Sequence, residues 1–177
     1  MAKKNMYTKL IGAIIIITCT TMFSIDKIKS NKQNADNKYA VCLFFEKLSD
    51  TLAAEMTDIA TAMEKCCSVS EFPLKDVVRE FCVYIRSGDT ASVKDAWLQC
   101  KENCNVQHIN KSDIEVMDNF VDSINSNSAA SCINAAKSAC VLLKKQHEEL
   151  CVKAKGDNRL MLNMGVCAGI FMVVLLM

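Results

Sequence analysis

Apolar positions in the middle of the chain recur at three- and four-residue steps, which is the period of an amphipathic helix. Charged residues such as Glu46, Asp50 and Glu64 take the other faces. Since the pattern crosses Thr57–Ile59 without a proline, it predicts one long helix that continues through this point. The apolar stripe of that helix consists of Val41, Phe45, Leu48, Leu52, Ile59, Met63 and Cys66.

Two shorter helices are predicted next. Ser70–Pro73 has the composition of a helix start, because proline is tolerated in the first turn, and Gly88 marks the end of that helix. Asp89 or Thr90 is then expected to cap the following helix. The two apolar stripes are Leu74, Val77, Val78, Phe81 and Ile85 in the first helix and Val93, Ala96, Trp97, Cys100 and Cys104 in the second.

Another two helices complete the middle region. Ser112–Glu115 has the spacing of a capping box, so a helix should begin at Ser112, and the polar run 125–128 should end it. A last long helix should begin at about Ala129, with a kink at 156–158. The predicted buried positions are Ile114, Met117, Val121 and Ile124, then Cys132, Ile133, Ala136, Cys140, Leu143, Leu150 and Ala154.

An uncharged apolar segment lies near each end of the chain. Residues 10–25 would form about 24 Å of helix, enough to span a bilayer core only if residues 6–9 enter with Lys9 snorkelling. Residues 160–177 would form about 27 Å. The pattern predicts a transmembrane helix at each end. Alternatives for the first are a cleaved secretory signal, although no Ala-x-Ala-like site follows, and a lipoprotein signal at Cys19.

The predicted architecture is therefore all-α, with a helical bundle between two transmembrane helices. The expected parts are an N-terminal tail and transmembrane helix at 1–28, a linker at 29–38, the bundle at 39–157 and a second transmembrane helix at 158–177. Gly165 and Gly169 share one face of the last helix, a spacing that lets another helix approach closely.

Lysine and arginine flanks predict the orientation. Five basic residues between 144 and 159 precede the C-terminal segment and none follows it, so the positive-inside rule places the middle of the chain in the cytoplasm. Composition agrees with this location. The 11 cysteines are an odd number in 177 residues, which is unlike a secreted disulfide scaffold and typical of reduced thiols. A single proline and 5 glycines favour helices.

Candidate chemistry is sparse. Cys100, Cys104 and His108 fall at i, i+4 and i+8, but three residues are too few for a closed zinc site, and the adjacent Cys66 and Cys67 are expected to be semi-buried thiols. The chain contains no phosphate-binding loop, nucleophile elbow or His-Glu-x-x-His motif. We therefore expect no catalytic residues, no metal and no cofactor. A formal net charge of +1 also argues against nucleic acid as a partner.

Charge is unevenly distributed along the middle region. Residues 46–122 contain 15 acidic and 8 basic residues, a local net charge of −7. This excess is either a solvated surface, with the basic segment 137–159 against lipid head groups, or a docking face for a basic partner. The candidate partner-binding residues are Asp50, Asp58, Glu64, Asp118 and Asp122.

Three stretches together resemble the stage III sporulation protein AB family of endospore-forming bacteria. They are Lys9–Ala13, Ala96–Trp97 after the Ser87–Asp89 connection, and Met164–Gly169 followed by Val173–Met177. The order of the predicted segments also resembles the family. Two departures are Thr57–Ile59, where the family commonly has a Thr-Pro-Leu turn, and the segment 124–128, where it tends to have Leu-Gly and an Asp-containing turn.

The resemblance implies a function as well as a fold. The family is similar to the cytoplasmic helical domain of the platform protein of type II secretion and type IV pilus machines. It implies a non-enzymatic component of the mother cell–forespore channel complex, in the mother-cell or outer forespore membrane. Its expected partners are a cytoplasmic secretion-type ATPase, the other membrane components of the channel and membrane lipid. The alternative is a membrane-anchored helical sensor whose Cys and His residues bind metal or respond to redox state.

Overall fold

The computed structural model describes residues 2–55, 57–88, 92–104, 106, 109–124 and 128–176. Within these ranges, side chains are described at Gly12, at Ile15 and from residue 18 onward, apart from 158, 159, 162, 169, 172, 173, 175 and 176. The described residues form helices and connecting turns and contain no strand. The six helices are α1 (Ala2–Glu55), α2 (Ile59–Val69), α3 (Lys75–Ser87), α4 (Val93–Asn103), α5 (Lys111–Ile124) and α6 (Ala129–Leu176).

The chain divides into two compact units. The terminal unit comprises residues 1–35 and 148–177, and the central bundle comprises residues 36–147. In the described part of the chain, no helix is long and apolar enough to cross a membrane. The two predicted transmembrane helices therefore have no support from the described residues.

The predicted long helix through 57–59 is wrong. Helix α1 ends at Glu55 and α2 begins at Ile59, because Asp58 adopts an extended conformation with φ −65° and ψ 151°. The Asp58 carboxylate accepts a hydrogen bond from the Thr61 backbone N–H at 2.9 Å, which satisfies one of the free donors at the start of α2. A capping aspartate thus ends one helix and starts the next without a proline.

The other boundaries agree more closely with the pattern. Helix α3 ends at Gly88, whose φ of 68° is the left-handed conformation that glycine adopts at low cost. The cap of α4 is Ser92, whose hydroxyl accepts from the Lys94 N–H at 3.1 Å; the expected caps Asp89 and Thr90 lie outside the described residues.

Two segments, one expected to be a linker and one expected to contain a kink, lie within helices. The predicted linker, 29–38, lies within α1, since its polar residues include no helix breaker. The expected kink at 156–158 lies within α6, which is helical from Ala129 to Leu176. One glycine costs a helix only about 1 kcal/mol, too little to break a helix of this length.

Helix α5 begins one residue earlier than the capping-box pattern predicts. The Asn110 side-chain oxygen accepts from the Ser112 N–H at 3.1 Å, so Asn110 rather than Ser112 stands before the first turn. Asp113 is buried in the first turn of α5.

Aromatic side chains from four helices (α1, α3, α4 and α5) and one turn form the centre of the bundle core. The Phe44 and Phe72 rings stack at 4.4 Å, and the Phe81 and Trp97 rings meet edge to face at 5.3 Å. Many residues of the predicted apolar stripes, such as Leu48 and Met63, belong to this core, whereas others, such as Ile59 and Ile85, are only partly buried against it. Its largest fully buried side chains are Trp97, Phe44, Phe45, Phe81, Phe120, Leu48, Met63, Leu74, Met117 and Leu143.

Candidate functional site

Most of the acidic residues predicted to bind a partner already have partners within the central bundle. Asp58 caps α2, and hydrogen bonds from Thr61 hold the pKa of its carboxyl below the usual range. Glu64 forms an ion pair with Arg86 at 2.6 Å. Since Glu64 is about half exposed, this pair contributes little stability but neutralises its charge locally.

Asp118 and Asp122, one helical turn apart on α5, are also engaged. Asp122 pairs with Lys94 of α4 at 2.9 Å. Asp118 accepts from the Trp97 indole N–H and from Lys101 Nζ, the latter at 2.7 Å. The Asp118 side chain is 39% exposed, and its bond to the indole N–H positions the buried tryptophan while Lys101 partly neutralises its charge.

Asp50 differs from the other four residues. It is exposed on α1, and no ion pair or hydrogen bond to its carboxylate is found among the described residues. Glu46 is exposed one turn earlier on the same helix, at the i, i+4 spacing that places two side chains on one face. Glu46 and Asp50 therefore form a two-carboxylate ridge on α1, and no ion pair in the described part of the chain neutralises it.

A buried ion pair lies inside the central bundle. The Lys38 ammonium donates to Asp113 Oδ1 at 2.6 Å, to Ser112 Oγ at 2.7 Å and to Gln146 Oε1 at 2.9 Å. The Lys38 and Asp113 side chains are 3% and 2% exposed. All three ammonium protons thus have an acceptor, which is the condition for burying a lysine without a large desolvation cost. This Lys38 cluster joins α1, α5 and α6.

The cysteines are free thiols, and those in the bundle core are poorly reactive. Burial raises the pKa of Cys67 and of Cys100 to about 12 and the pKa of Cys82 to about 11. Cys104 donates to Glu80 at 3.0 Å, and this hydrogen bond is the main cause that raises its pKa to about 11. These thiols stay protonated at neutral pH, whereas nucleophilic attack and metal binding require the thiolate.

Metal ligation finds no geometric support in the described residues. No group of three or more His, Cys, Asp or Glu side chains in that part of the chain is arranged to hold an ion. His108, the third member of the Cys100 and Cys104 series, lies outside the described residues. Neither the thiol pKa values nor the placement of these groups supports the alternative of a metal or redox sensor.

In the terminal unit, Gly165 lies against helix α1. A Cβ at this position would collide with the Ser24 hydroxyl and lie 3.4 Å from the Thr20 carbonyl oxygen. The glycine thus permits a close approach of α6 to α1 within one chain. Gly169, its predicted partner in helix packing, has a side-chain position outside the described ones.

Comparison with known proteins places the chain in a family. The family model for stage III sporulation protein AB matches residues 9–177, which is nearly the whole chain. The protein belongs to the stage III sporulation protein AB family. No curated protein and no solved structure shows significant similarity to the chain.

Membership of the stage III sporulation protein AB family carries a role in stage III of sporulation, and this family is not a known enzyme family. The match begins at Lys9 and includes both α1 and α6, so the terminal unit as well as the central bundle falls within the region that defines the family.

The sequence pattern missed the Lys38 cluster, although a signal was present. Lys38 precedes Val41 by three residues and Phe45 by seven, and Asp113 precedes Met117 by four. Each charge therefore lies on the buried stripe of its own helix. Two opposite charges that both interrupt apolar stripes are candidates for a buried pair, because neither can be buried alone at reasonable cost.

Proposed function

We propose that the protein is a non-enzymatic platform of the channel complex between mother cell and forespore, attached to the membrane by its terminal unit. In this proposal the central bundle lies in the mother-cell cytoplasm, where it holds a secretion-type ATPase beside the other membrane components of the channel. The membrane is that of the mother cell, including the outer forespore membrane.

The observation that carries this proposal is the distribution of exposed apolar side chains. Of the 17 large apolar side chains described as exposed, 11 belong to the terminal unit, among them Phe23 at 76% and Phe171 at 66%. A concentration of exposed large apolar side chains is costly in water and favours contact with lipid or protein. The two apolar segments predicted to cross the membrane lie in this unit, so we assign them to the membrane-embedded part.

The charge of the central bundle supports the proposal that the bundle holds the ATPase. A basic ATPase surface would be steered toward an acidic excess, and complementary charge fixes orientation even where it adds little affinity. We take the ridge of Glu46 and Asp50 as the docking point, because its two exposed carboxylates lie one turn apart on one helix. Asp58, Glu64, Asp118 and Asp122 would contribute to the surrounding field while keeping their internal partners.

A pull-down from sporulating cells with the tagged full-length protein tests the proposal. The wild-type protein should retain the ATPase at low salt and lose it progressively as salt rises, since the Debye length falls from about 10 Å at 0.1 M to about 3 Å at 1 M. The double reversal Glu46→Lys with Asp50→Lys should lose the ATPase at every salt concentration.

A matched control uses two exposed acidic residues elsewhere on the bundle. Glu102→Lys with Glu115→Lys changes the net charge by the same amount and should retain the ATPase. Equal loss of ATPase binding in both double variants would show that binding depends on the net charge of the bundle rather than on the ridge. Retention by the Glu46 and Asp50 variant would exclude the ridge as the docking point.

A further inference from the structure

The terminal unit contains an open groove between α1 and α6 with a volume of about 510 Å³. This volume lies within the range of roughly 300 to 1,000 Å³ that small-molecule sites occupy. The groove follows α1 from Cys19 to Lys27, which corresponds to about 12 Å along the helix axis. Its walls include Phe23, Met164 and Ala168.

The Ser24 hydroxyl at the floor of the groove is already hydrogen-bonded. Gly165 lies against Ser24, and the Ser24 hydroxyl donates to the Thr20 carbonyl oxygen at 3.1 Å. Since this donor is already satisfied within α1, covering it costs little. The floor and walls together therefore suit a hydrocarbon chain rather than a polar molecule.

One end of the groove carries a positive charge. Lys27 is the last α1 residue along the groove and is exposed, so its stem can follow the apolar wall while its ammonium reaches beyond the end. A ligand that matches both features has an apolar chain attached to an anionic group. Phospholipids with a net negative head group have this form, and basic pockets between helices are known to take such head groups.

A helix from a second copy of the protein fits the groove less well. Close helix packing uses small residues at the contact, but Gly165 is already covered by Ser24 of the same chain. The walls instead present long or bulky side chains, Phe23 at 76% exposure and Met164 at 63%. A flexible acyl chain adapts to such walls, and methionine adapts in turn.

We propose that this groove binds one anionic phospholipid, with an acyl chain along Phe23, Met164 and Ala168 and the head-group phosphate at Lys27. The site rests on the proposed attachment of the terminal unit to the membrane, because only there does the groove meet lipid. It gives the protein a preference for membrane regions rich in anionic lipid.

Native mass spectrometry of the full-length protein tests the site. The protein is reconstituted in vesicles of phosphatidylcholine and phosphatidylglycerol in equal parts, floated, and released in mild detergent. Wild type should retain one phosphatidylglycerol. Lys27→Gln should reduce that retention about fivefold, the effect of about 1 kcal/mol per basic residue at a membrane surface. Lys29→Gln, an exposed lysine that does not line the groove, should retain lipid like wild type.

A second pair of variants tests the apolar part. Ala168→Leu should fill the groove and lower the retention of any phospholipid, whereas Cys167→Leu, at an exposed neighbour outside the groove, should not. Both substitutions lie at exposed positions, and circular dichroism checks that helix content is unchanged. If Ala168→Leu loses helix, the Lys27 and Lys29 pair still decides the question.

The possible outcomes distinguish the lipid site in the groove from the membrane attachment of the terminal unit. A wild-type protein that floats with the vesicles but releases all lipid would refute the site and leave the attachment intact. Failure to float would refute the attachment. Equal retention of phosphatidylcholine would refute the role of Lys27, and a lipid-free dimer would show that a second copy fills the groove.

Discussion

Substitution of Lys38 by methionine should destabilise the central bundle more than any surface change. The substitution keeps most of the apolar stem but removes the ammonium, which leaves the Asp113 carboxylate buried at 2% side-chain exposure without its charged partner. Breaking a buried ion pair in this way costs about 3 to 5 kcal/mol. Since a small domain is stable by only about 5 to 15 kcal/mol, the variant should be close to its folding limit.

Urea unfolding followed by tryptophan fluorescence measures this effect directly. Trp97 is the only tryptophan, is 1% exposed and lies in the central bundle, so its emission reports on the unfolding of that unit. With a denaturant slope of about 2 kcal/mol per molar urea, the expected loss lowers the unfolding midpoint by about 2 M.

The double variant Lys38→Met with Asp113→Leu tests whether the two charges are coupled. Replacing both members of a buried pair by apolar residues is often neutral or stabilising, so the double variant should be more stable than Lys38→Met alone. If the two single losses simply add in the double variant, the pair is not coupled and the reasoning is wrong. A free energy of unfolding for Lys38→Met within about 1 kcal/mol of the wild-type value would also refute the reasoning.

Three further predictions follow from the bundle. Trp97→Ala should cost about 3 to 5 kcal/mol in urea unfolding followed by circular dichroism, and an unchanged midpoint would contradict its burial. Because hydrogen bonds from Thr61 lower the pKa of Asp58, its cap stabilises the bundle at neutral pH, and this stabilisation is lost as the pH falls through the lowered pKa. Asp58→Asn should therefore weaken the acid dependence of the thermal unfolding temperature. Cys82 and Cys100, with pKa values raised by burial to about 11 and 12, should resist iodoacetamide at neutral pH until urea unfolds the bundle, and rapid alkylation of the folded protein would contradict this.

The helical architecture was predictable because the spacing of apolar residues reflects one strong effect, the burial of apolar surface. Residues such as Val77, Val78 and Phe81 recur on one face of α3, and all three are buried. Gly88 was equally predictable as a helix end because the left-handed conformation strongly favours glycine. Burial and backbone geometry act locally, so a single sequence carries their signal.

The polar interactions were less predictable because they depend on which helices become neighbours. The apolar stripe continues across Asp58, yet α1 and α2 are separate helices. The Asp58 carboxylate caps α2, and this cap outweighs the helical period of the apolar residues at that point. Lys38 and Asp113 lie 75 residues apart in sequence, and their pairing requires the packing of α1 against α5. The ion pairs of Glu64 and Asp122 were hidden from the sequence for the same reason, because their partners, Arg86 and Lys94, come from other helices.

Vesicle co-flotation tests the central claim that the protein holds a secretion-type ATPase at the membrane. The full-length protein is reconstituted in vesicles, the purified ATPase is added at low salt, and the mixture is centrifuged through a density gradient. The account predicts that the ATPase floats with vesicles that carry the protein and remains at the bottom with bare vesicles or with the Glu46→Lys and Asp50→Lys variant. An ATPase that stays at the bottom while the wild-type protein floats would contradict the account.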